Sequence, residues 1–193
     1  MYSVFGRKVR LDEPIASHED NYIIIPKSTY ELANDPDTAW VLVEIIVNWV
    51  DNSFAKNGGN GNNIPLRALQ LYCANHYYSF VQNGGHRDFI KASAHKAGQV
   101  WPFILAGLLA MNAKEHANIF QEMADWVSRN VDEAVDIEKD GEHLLELFVF
   151  DGKFEALEIN SPFCFFANEW ISQWSELKIM DDIEFRKEMA LEV

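Results

Sequence analysis

Apolar side chains recur at helical spacing along most of this chain, and this periodicity is the feature that most constrains its fold. Val43, Ile46, Val47, Val50 and Phe54 follow one another at i, i+3, i+4, i+7 and i+11, so they share one face of a helix. An amphipathic helix becomes stable when its apolar face packs against other elements. The pattern therefore predicts a bundle in which several helices cover one another.

Capping residues, prolines and glycines indicate where the helices begin and end. Asp35 precedes Pro36, which suits the first turn of a helix, and the Asp35 carboxylate can accept a backbone hydrogen bond there. Gly84 follows an apolar stripe and is predicted to end that helix with a positive φ. The sequence predicts helices over residues 35–56, 65–82, 87–96, 114–130 and 161–177. Gly98 is predicted to break the helix before it, and a buried helix with Pro102 in its first turn is predicted to follow, up to Met111.

Residues 145–158 fit two structures. Two apolar segments, 147–150 and 154–157, flank Asp151-Gly152, which is typical of a β-hairpin with a two-residue turn, although a helix broken at Gly152 fits nearly as well. The predicted fold class is therefore mainly α, a single-domain helical bundle in which a short hairpin near residues 145–158 remains an alternative. The predicted organisation is an N-terminal extension (1–28), a helical domain (29–180) and an acidic C-terminal tail (181–193).

Charge is distributed unevenly along the chain. Its 16 basic and 30 acidic side chains give a net charge of −14, and residues 131–193 alone hold five basic and seventeen acidic side chains, a net of −12. Nucleic acid and anionic membranes are bound by cationic groups, so neither is an expected partner. No apolar run reaches the ~20 residues of a membrane span, and no export signal is recognisable, so a cytoplasmic protein is expected. Cys73 and Cys164 are predicted to be unpaired, buried thiols.

Residues 77–90, which read YYSFVQNGGHRDFI, place an Asn-Gly-Gly turn between two predicted helices. This arrangement resembles the hallmark of a bacterial family of unknown function that is named after a DNA-mimic protein. His86 stands where an aromatic residue is usual in that family, and Asp88 stands where Gln is usual. The resemblance extends over residues 65–127, and the matching positions in the turn are Asn83, Gly84, Gly85 and Phe89.

The resemblance implies a mainly helical domain without a known cofactor and often dimeric. In the namesake, an acidic surface occupies the DNA site of a DNA-binding protein. For this chain the resemblance therefore implies a non-enzymatic interaction protein, whose partner is a basic DNA-binding protein and which is expected to form a homodimer.

The acidic third of the chain offers a candidate surface for such mimicry. Helix neighbours at i and i+4 lie ~6 Å apart, and a DNA strand carries one charge about every 3.4 Å, so carboxylates on a helix can approach phosphate spacing. The candidate partner-binding residues are Asp132, Glu133, Asp136, Asp140 and Glu142. Further carboxylates follow at Asp151, Glu155, Glu158, Glu169 and Glu176. The same charges would also suit a structural module whose acidic surface only confers solubility.

A third hypothesis assigns chemistry to the turn at residues 83–88. His86 and Asp88 could serve as a base and its orienting group in an enzyme or a small-ligand site. No Ser or Cys nucleophile stands in a recognisable motif beside them, so a solvent-exposed pair at a helix start is the preferred interpretation. His76 is predicted to be a hydrogen-bonded core residue. The histidines and cysteines lack metal-ligand spacing, so neither a metal nor another cofactor is expected.

Overall fold

The computed structural model of the chain describes residues 16–17, 22–56, 64–131 and 144–191, together with residues 58, 61 and 134. Over these residues the fold is mainly helical, as the periodicity predicts. The helices are α1 (Lys27–Leu32), α2 (Val41–Lys56), α3 (Leu66–Ser93), α4 (Ala97–Ala110), α5 (Lys114–Arg129), α6 (Leu144–Asn160), α7 (Phe163–Ile171) and α8 (Asp182–Leu191). Three short strands accompany them: β1 (Ala16–Ser17), β2 (Tyr22–Pro26) and β3 (Leu177–Met180).

Helix α3 lies at the centre of the bundle and packs against α2, α4 and α6, while α5 closes the bundle against α4 and α6. The α3–α4 contact is close because Gly107 has no side chain. A Cβ atom there would lie 2.6 Å from the backbone oxygen of Gln70. The glycine therefore lets α4 approach the α3 backbone more closely than any other residue would allow.

The apolar segment at residues 145–158 is helical. Helix α6 continues through Gly152, and its Leu147 and Phe154 side chains are almost fully buried in the core. The hairpin alternative is therefore wrong. The segment forms a helix and not a hairpin because residues 147 and 154 lie two helical turns apart on one face, and α3 and α5 cover that face.

A small sheet was not predicted from the periodicity. Strand β2 pairs antiparallel with β1 and parallel with β3, with Ile23 opposite Leu177 and Ile25 opposite Ile179. Ile23 and Ile25 are fully buried in the main core. The predicted closing helix consequently stops at Ile171 as α7, and the chain turns into β3.

The two ends of the described chain meet at this sheet. Helix α8 lies within the region predicted as an acidic tail, and its Phe185 packs with Ile24 and Met180 in a second small apolar cluster. The Ser28 hydroxyl donates a 2.9 Å hydrogen bond to the Asp182 carboxylate. Segments from the predicted extension and the predicted tail thus contact each other directly.

Two further helix boundaries differ from the predicted ones. Asp35 does cap a helical turn, since its carboxylate accepts a 3.0 Å bond from the Asp37 amide, but this 3-10 turn (Pro36–Thr38) is separate from α2. Gly98 does not break a helix but lies inside α4, which also contains Pro102. No helix within the described ranges is long and apolar enough to cross a membrane.

Candidate functional site

The Asn-Gly-Gly turn bends α3 into two arms, residues 66–84 and 86–93. Gly85 is the residue at the bend, with φ 73° and ψ −178°, a combination that is essentially restricted to glycine. The predicted positive φ at Gly84 is therefore wrong by one residue, because Gly84 still belongs to the first arm. In the last turn of that arm the side-chain amide of Asn83 donates a 2.7 Å hydrogen bond to the backbone carbonyl of Ser79.

A carboxylate from α6 closes the turn. Asp151 Oδ1 accepts a 2.8 Å hydrogen bond from the His86 backbone amide and lies 2.6 Å from His86 Nδ1. The second arm of α3 begins at this amide, so the carboxylate caps its positive end from another helix. A Cβ atom on Gly85 would lie 2.6 Å from Asp151 Oδ2. Glycine is thus required here both for its φ and for the approach of Asp151.

His86 is fully buried, and both of its ring nitrogens have partners. Nδ1 faces Asp151, while Nε2 lies 2.9 Å from the Tyr77 hydroxyl. With Nδ1–H donated to the carboxylate, Nε2 accepts the hydrogen bond from Tyr77. Burial, followed by the Asp151 charge, raises the pKa of Tyr77 well above its usual value, so the phenol keeps its proton.

The structure therefore separates the predicted pair of His86 and Asp88. His86 is not solvent-exposed as expected but joins the core, whereas Asp88 is exposed. Phe89 is almost fully buried and packs against Tyr77 and Trp101. Asp151 and Tyr77 are the hydrogen-bond partners that make the burial of the polar His86 ring possible.

An open groove lies beside the turn, between the end of the first α3 arm and α6. It encloses about 480 Å³, and its lining includes Gln82, Asn83, Phe148, Gly152 and Glu155. Neither His86 nor Asp88 lines this groove, and the two nitrogens of His86 are already hydrogen-bonded within the core. The acid–base pair required by the enzyme hypothesis is therefore not assembled at the turn.

A second buried histidine, which the sequence did not single out, pairs with another carboxylate of α6. His116 Nε2 lies 2.6 Å from Glu158 Oε1, and the same oxygen accepts a 3.1 Å hydrogen bond from the Phe163 amide at the start of α7. Burial and the Glu158 charge raise the pKa of Tyr78 above its usual value. Glu158 thus links α5, α6 and α7, and it repeats the capping role that Asp151 has at α3.

The other predicted polar residues have different positions. His76 lies on the exposed side of α3 and is not a core residue, and the neighbouring side chains that keep water from part of its ring lower its pKa. Cys73 and Cys164 are free thiols as predicted, with Cys164 buried and Cys73 half-buried. Within the ranges that the structure describes, no group of three His, Cys, Asp or Glu side chains could hold a metal ion.

The predicted acidic surface lies outside the described residues, since these include none of Asp132, Glu133, Asp136, Asp140 and Glu142. Three of the carboxylates that follow it contribute to the fold. Asp151 and Glu158 bind buried histidines, and Glu176 lies 3.7 Å from Arg67. Glu155 and Glu169 are exposed.

Comparison with known proteins supports the resemblance seen at the turn. The family model described as DMP19-like protein matches residues 62–181, which is more than half of the chain. The matched segment begins before α3 and ends after β3, so it contains the bend at Gly85, its Asp151 cap and the His116–Glu158 pair. No curated protein and no solved structure matches the chain.

Proposed function

Because the chain belongs to the DMP19-like protein family, we propose that it is a non-enzymatic acidic interaction protein that occupies the DNA-binding surface of a basic partner protein. The family takes its name from a DNA-mimic protein. On this proposal the chain competes with DNA for its partner and does not bind DNA itself. The free thiols of Cys73 and Cys164 suit a reducing compartment, so the proposal places the interaction in the bacterial cytoplasm.

The observation that carries the proposal is the concentration of negative charge after residue 130. Residues 131–193 account for a net of −12 out of −14, whereas residues 64–130 carry six basic and four acidic side chains. A surface that only confers solubility would serve equally well with charges spread over the whole chain. Concentrated charge instead produces a directed field that attracts a basic protein.

A competition experiment tests this proposal. Basic DNA-binding proteins that the purified protein retains at low ionic strength would be identified, purified and bound to labelled DNA. We expect the protein to displace the DNA, and raised salt to weaken this displacement steeply because the contacts are between charges. The test variant replaces five carboxylates with their amides, at Asp132, Glu133, Asp136, Asp140 and Glu142.

A matched control removes the same number of charges from other parts of the surface. Its exposed positions are Glu31, Asp37, Asp88, Glu115 and Asp125. We expect the control variant to displace DNA almost as well as the parent and the test variant to lose most of the effect, with both keeping the parent's thermal stability. Equal displacement by the two variants would refute a localised mimic surface.

A further inference from the structure

Helix α8 is held against the rest of the chain by few contacts. Among its side chains that the structure describes, those of residues 182–188, only Phe185 is buried, and Ile183 is 64% exposed. Helix α7 has a similar length, but it buries Phe163, Cys164, Ala167 and Ile171. Helices shorter than about 12 residues are marginally stable in water, so α8 depends on its docking for its helical structure.

The apolar contacts of α8 lie apart from the main core. Side chains alternate between the two faces of a strand, so Ile23 and Ile25 of β2 point into the main core and Ile24 points to the outer face of the sheet. On that outer face Ile24, Met180 and Phe185 form a separate cluster. If α8 undocks, Phe185 therefore leaves two side chains of the sheet, and the main core stays packed.

A polar contact provides the second anchor of α8. The Asp182 carboxylate accepts hydrogen bonds from the Ser28 hydroxyl at 2.9 Å and from the Ser28 backbone amide at 3.2 Å. These bonds are exposed, so water can replace either partner at little cost. The Asp181 carboxylate accepts a 2.9 Å bond from the Ile183 amide, which lies within the same segment and does not hold α8 to the sheet.

The sheet beneath α8 has a backbone ladder that does not include this helix. Strand β3 pairs with β2 from Leu177 to Met180, and α8 begins two residues later at Asp182. The segment that matches the family model ends between these two elements, at residue 181. Strand β3 can therefore stay paired with β2 when α8 leaves the outer face.

We propose that α8 is a releasable cover on the outer face of the sheet, which undocks as a unit while the rest of the chain stays folded. With α8 in place, Ile24 and Met180 are each only 6% exposed. Undocking exposes both side chains and breaks the contact with Ser28. Access to this face is thereby limited to the undocked state, so α8 forms an autoinhibitory contact, and this holds whether or not the chain mimics DNA.

Native-state proteolysis of the full-length chain measures the undocking. Trypsin cleaves after Arg186 and Lys187, which are exposed on α8, once this segment has left its helix. Mass spectrometry identifies the products that end at these two residues, and tryptophan fluorescence follows global unfolding in parallel. Because undocking exposes little surface, the cleavage rate should change about twofold or less between 0 and 1 M urea, whereas opening by global unfolding would accelerate it about tenfold or more.

Variants then test the two anchors. Phe185→Ala removes the apolar anchor and should accelerate cleavage of α8 about tenfold or more. Asp182→Asn keeps the size of the side chain but removes its charge, and it should accelerate cleavage about threefold. The matched control is Phe165→Ala on α7, at a site that is 47% exposed, and it should leave the cleavage rate unchanged.

Methionine oxidation reports whether the outer face becomes accessible. Hydrogen peroxide oxidises a thioether that water can reach, and Met180 is covered by α8 whereas Met111 and Met123 lie in the main core. We expect Phe185→Ala to accelerate oxidation of Met180 about tenfold, as measured by peptide mapping. Oxidation of Met111 and Met123 should stay at the parent's rate, because the core does not open with α8.

Three results would overturn the proposal. The first is cleavage of α8 that rises with urea as steeply as global unfolding, since the helix would then open only with the whole fold. The second is an equal effect of Phe185→Ala and Phe165→Ala on cleavage. The third is equal acceleration of oxidation at all three methionines. If Phe185→Ala loses the parent's fluorescence spectrum, Asp182→Asn decides the outcome by the same measurements.

Discussion

Replacing Gly85 with alanine is the sharpest test of the bend in α3. The residue has φ 73° and ψ −178°, where a non-glycine residue costs about 1–3 kcal/mol. The new Cβ atom would also lie 2.6 Å from Asp151 Oδ2 and force that carboxylate away. Asp151 then loses its contacts with His86, and a hydrogen bond to a charged group contributes about 1.5–3 kcal/mol. We expect a total loss of about 3–5 kcal/mol, since the two effects partly overlap.

Urea unfolding followed by far-UV circular dichroism and tryptophan fluorescence measures this loss. Domains of this size lose about 2–4 °C in Tm per kcal/mol, so Tm should fall by roughly 6–20 °C. The matched control is Gly152→Ala in α6, where an added Cβ atom meets nothing within 4 Å. Because glycine is unfavourable inside a helix, this control should gain about 0.5–1 kcal/mol.

A double-mutant cycle separates the two causes. In an Asp151→Ala background the steric conflict is absent, so Gly85→Ala should cost only the backbone part, about 1–3 kcal/mol. Gly84→Ala should cost less than Gly85→Ala, because Gly84 has helical backbone and the side chain that its Cβ atom would displace, Asp88 at 2.0 Å, is exposed and can turn into solvent. An unchanged unfolding midpoint for Gly85→Ala, or the same cost with and without Asp151, would refute this explanation of the turn.

Two further predictions concern the thiols and the second buried histidine. Burial raises the pKa of Cys73 and Cys164 to about 11, so few of these thiols are ionised at pH 7. Labelling by a disulfide reagent should therefore be slow at pH 7, faster as the pH approaches 11, and rapid in urea. Equal labelling rates in folded and unfolded protein would contradict this prediction. Glu158→Ala should destabilise by about 2–4 kcal/mol because His116 and the Phe163 amide lose their acceptor, whereas Glu158→Gln should cost less in the same unfolding assay.

The sequence predicts an element well where one face is apolar and the other is polar. Helix α5 is predicted over residues 114–130 and observed as Lys114–Arg129, because its buried positions recur at helical spacing beside charged ones. Helix α6 is apolar on both sides, and its pattern fits a strand pair equally well. Only its packing against α3 and α5 decides between them.

The sheet is missed for a related reason. Residues 22–26 read YIIIP, a short run of β-branched residues without alternation, which is a signal for a strand buried on both faces. The partner strand β3 is not recognisable in the sequence because Trp174 and Leu177 continue the helical spacing of the apolar residues in the helix predicted over 161–177. Parallel pairing between Ile23 and Leu177 joins residues far apart in the chain, and local spacing carries no information about such a contact.

The candidate site shows the same division between local and distant information. Glycine in the turn is readable from the sequence, but the choice between Gly84 and Gly85 depends on Asp151, which lies 65 residues after His86. The burial of His86 depends on the same carboxylate. The resemblance implies an aromatic residue at position 86, so the histidine there is a signal for a buried hydrogen-bonded pair, although it does not identify the partner.

The acidic third of the chain has a structural role in the fold, and the proposed mimicry would give it a second one that composition does not distinguish from the first. Asp151 and Glu158 cap helices and bind buried histidines, so their removal should destabilise the protein regardless of any partner. Exposed carboxylates such as Glu155 and Glu169 have no such role in the described contacts and remain available to a basic surface. In a neutralisation series that includes Asp151 or Glu158, a loss of binding would be mixed with a loss of stability. Mimicry is supported only if variants restricted to exposed carboxylates lose DNA competition while keeping the parent's unfolding midpoint.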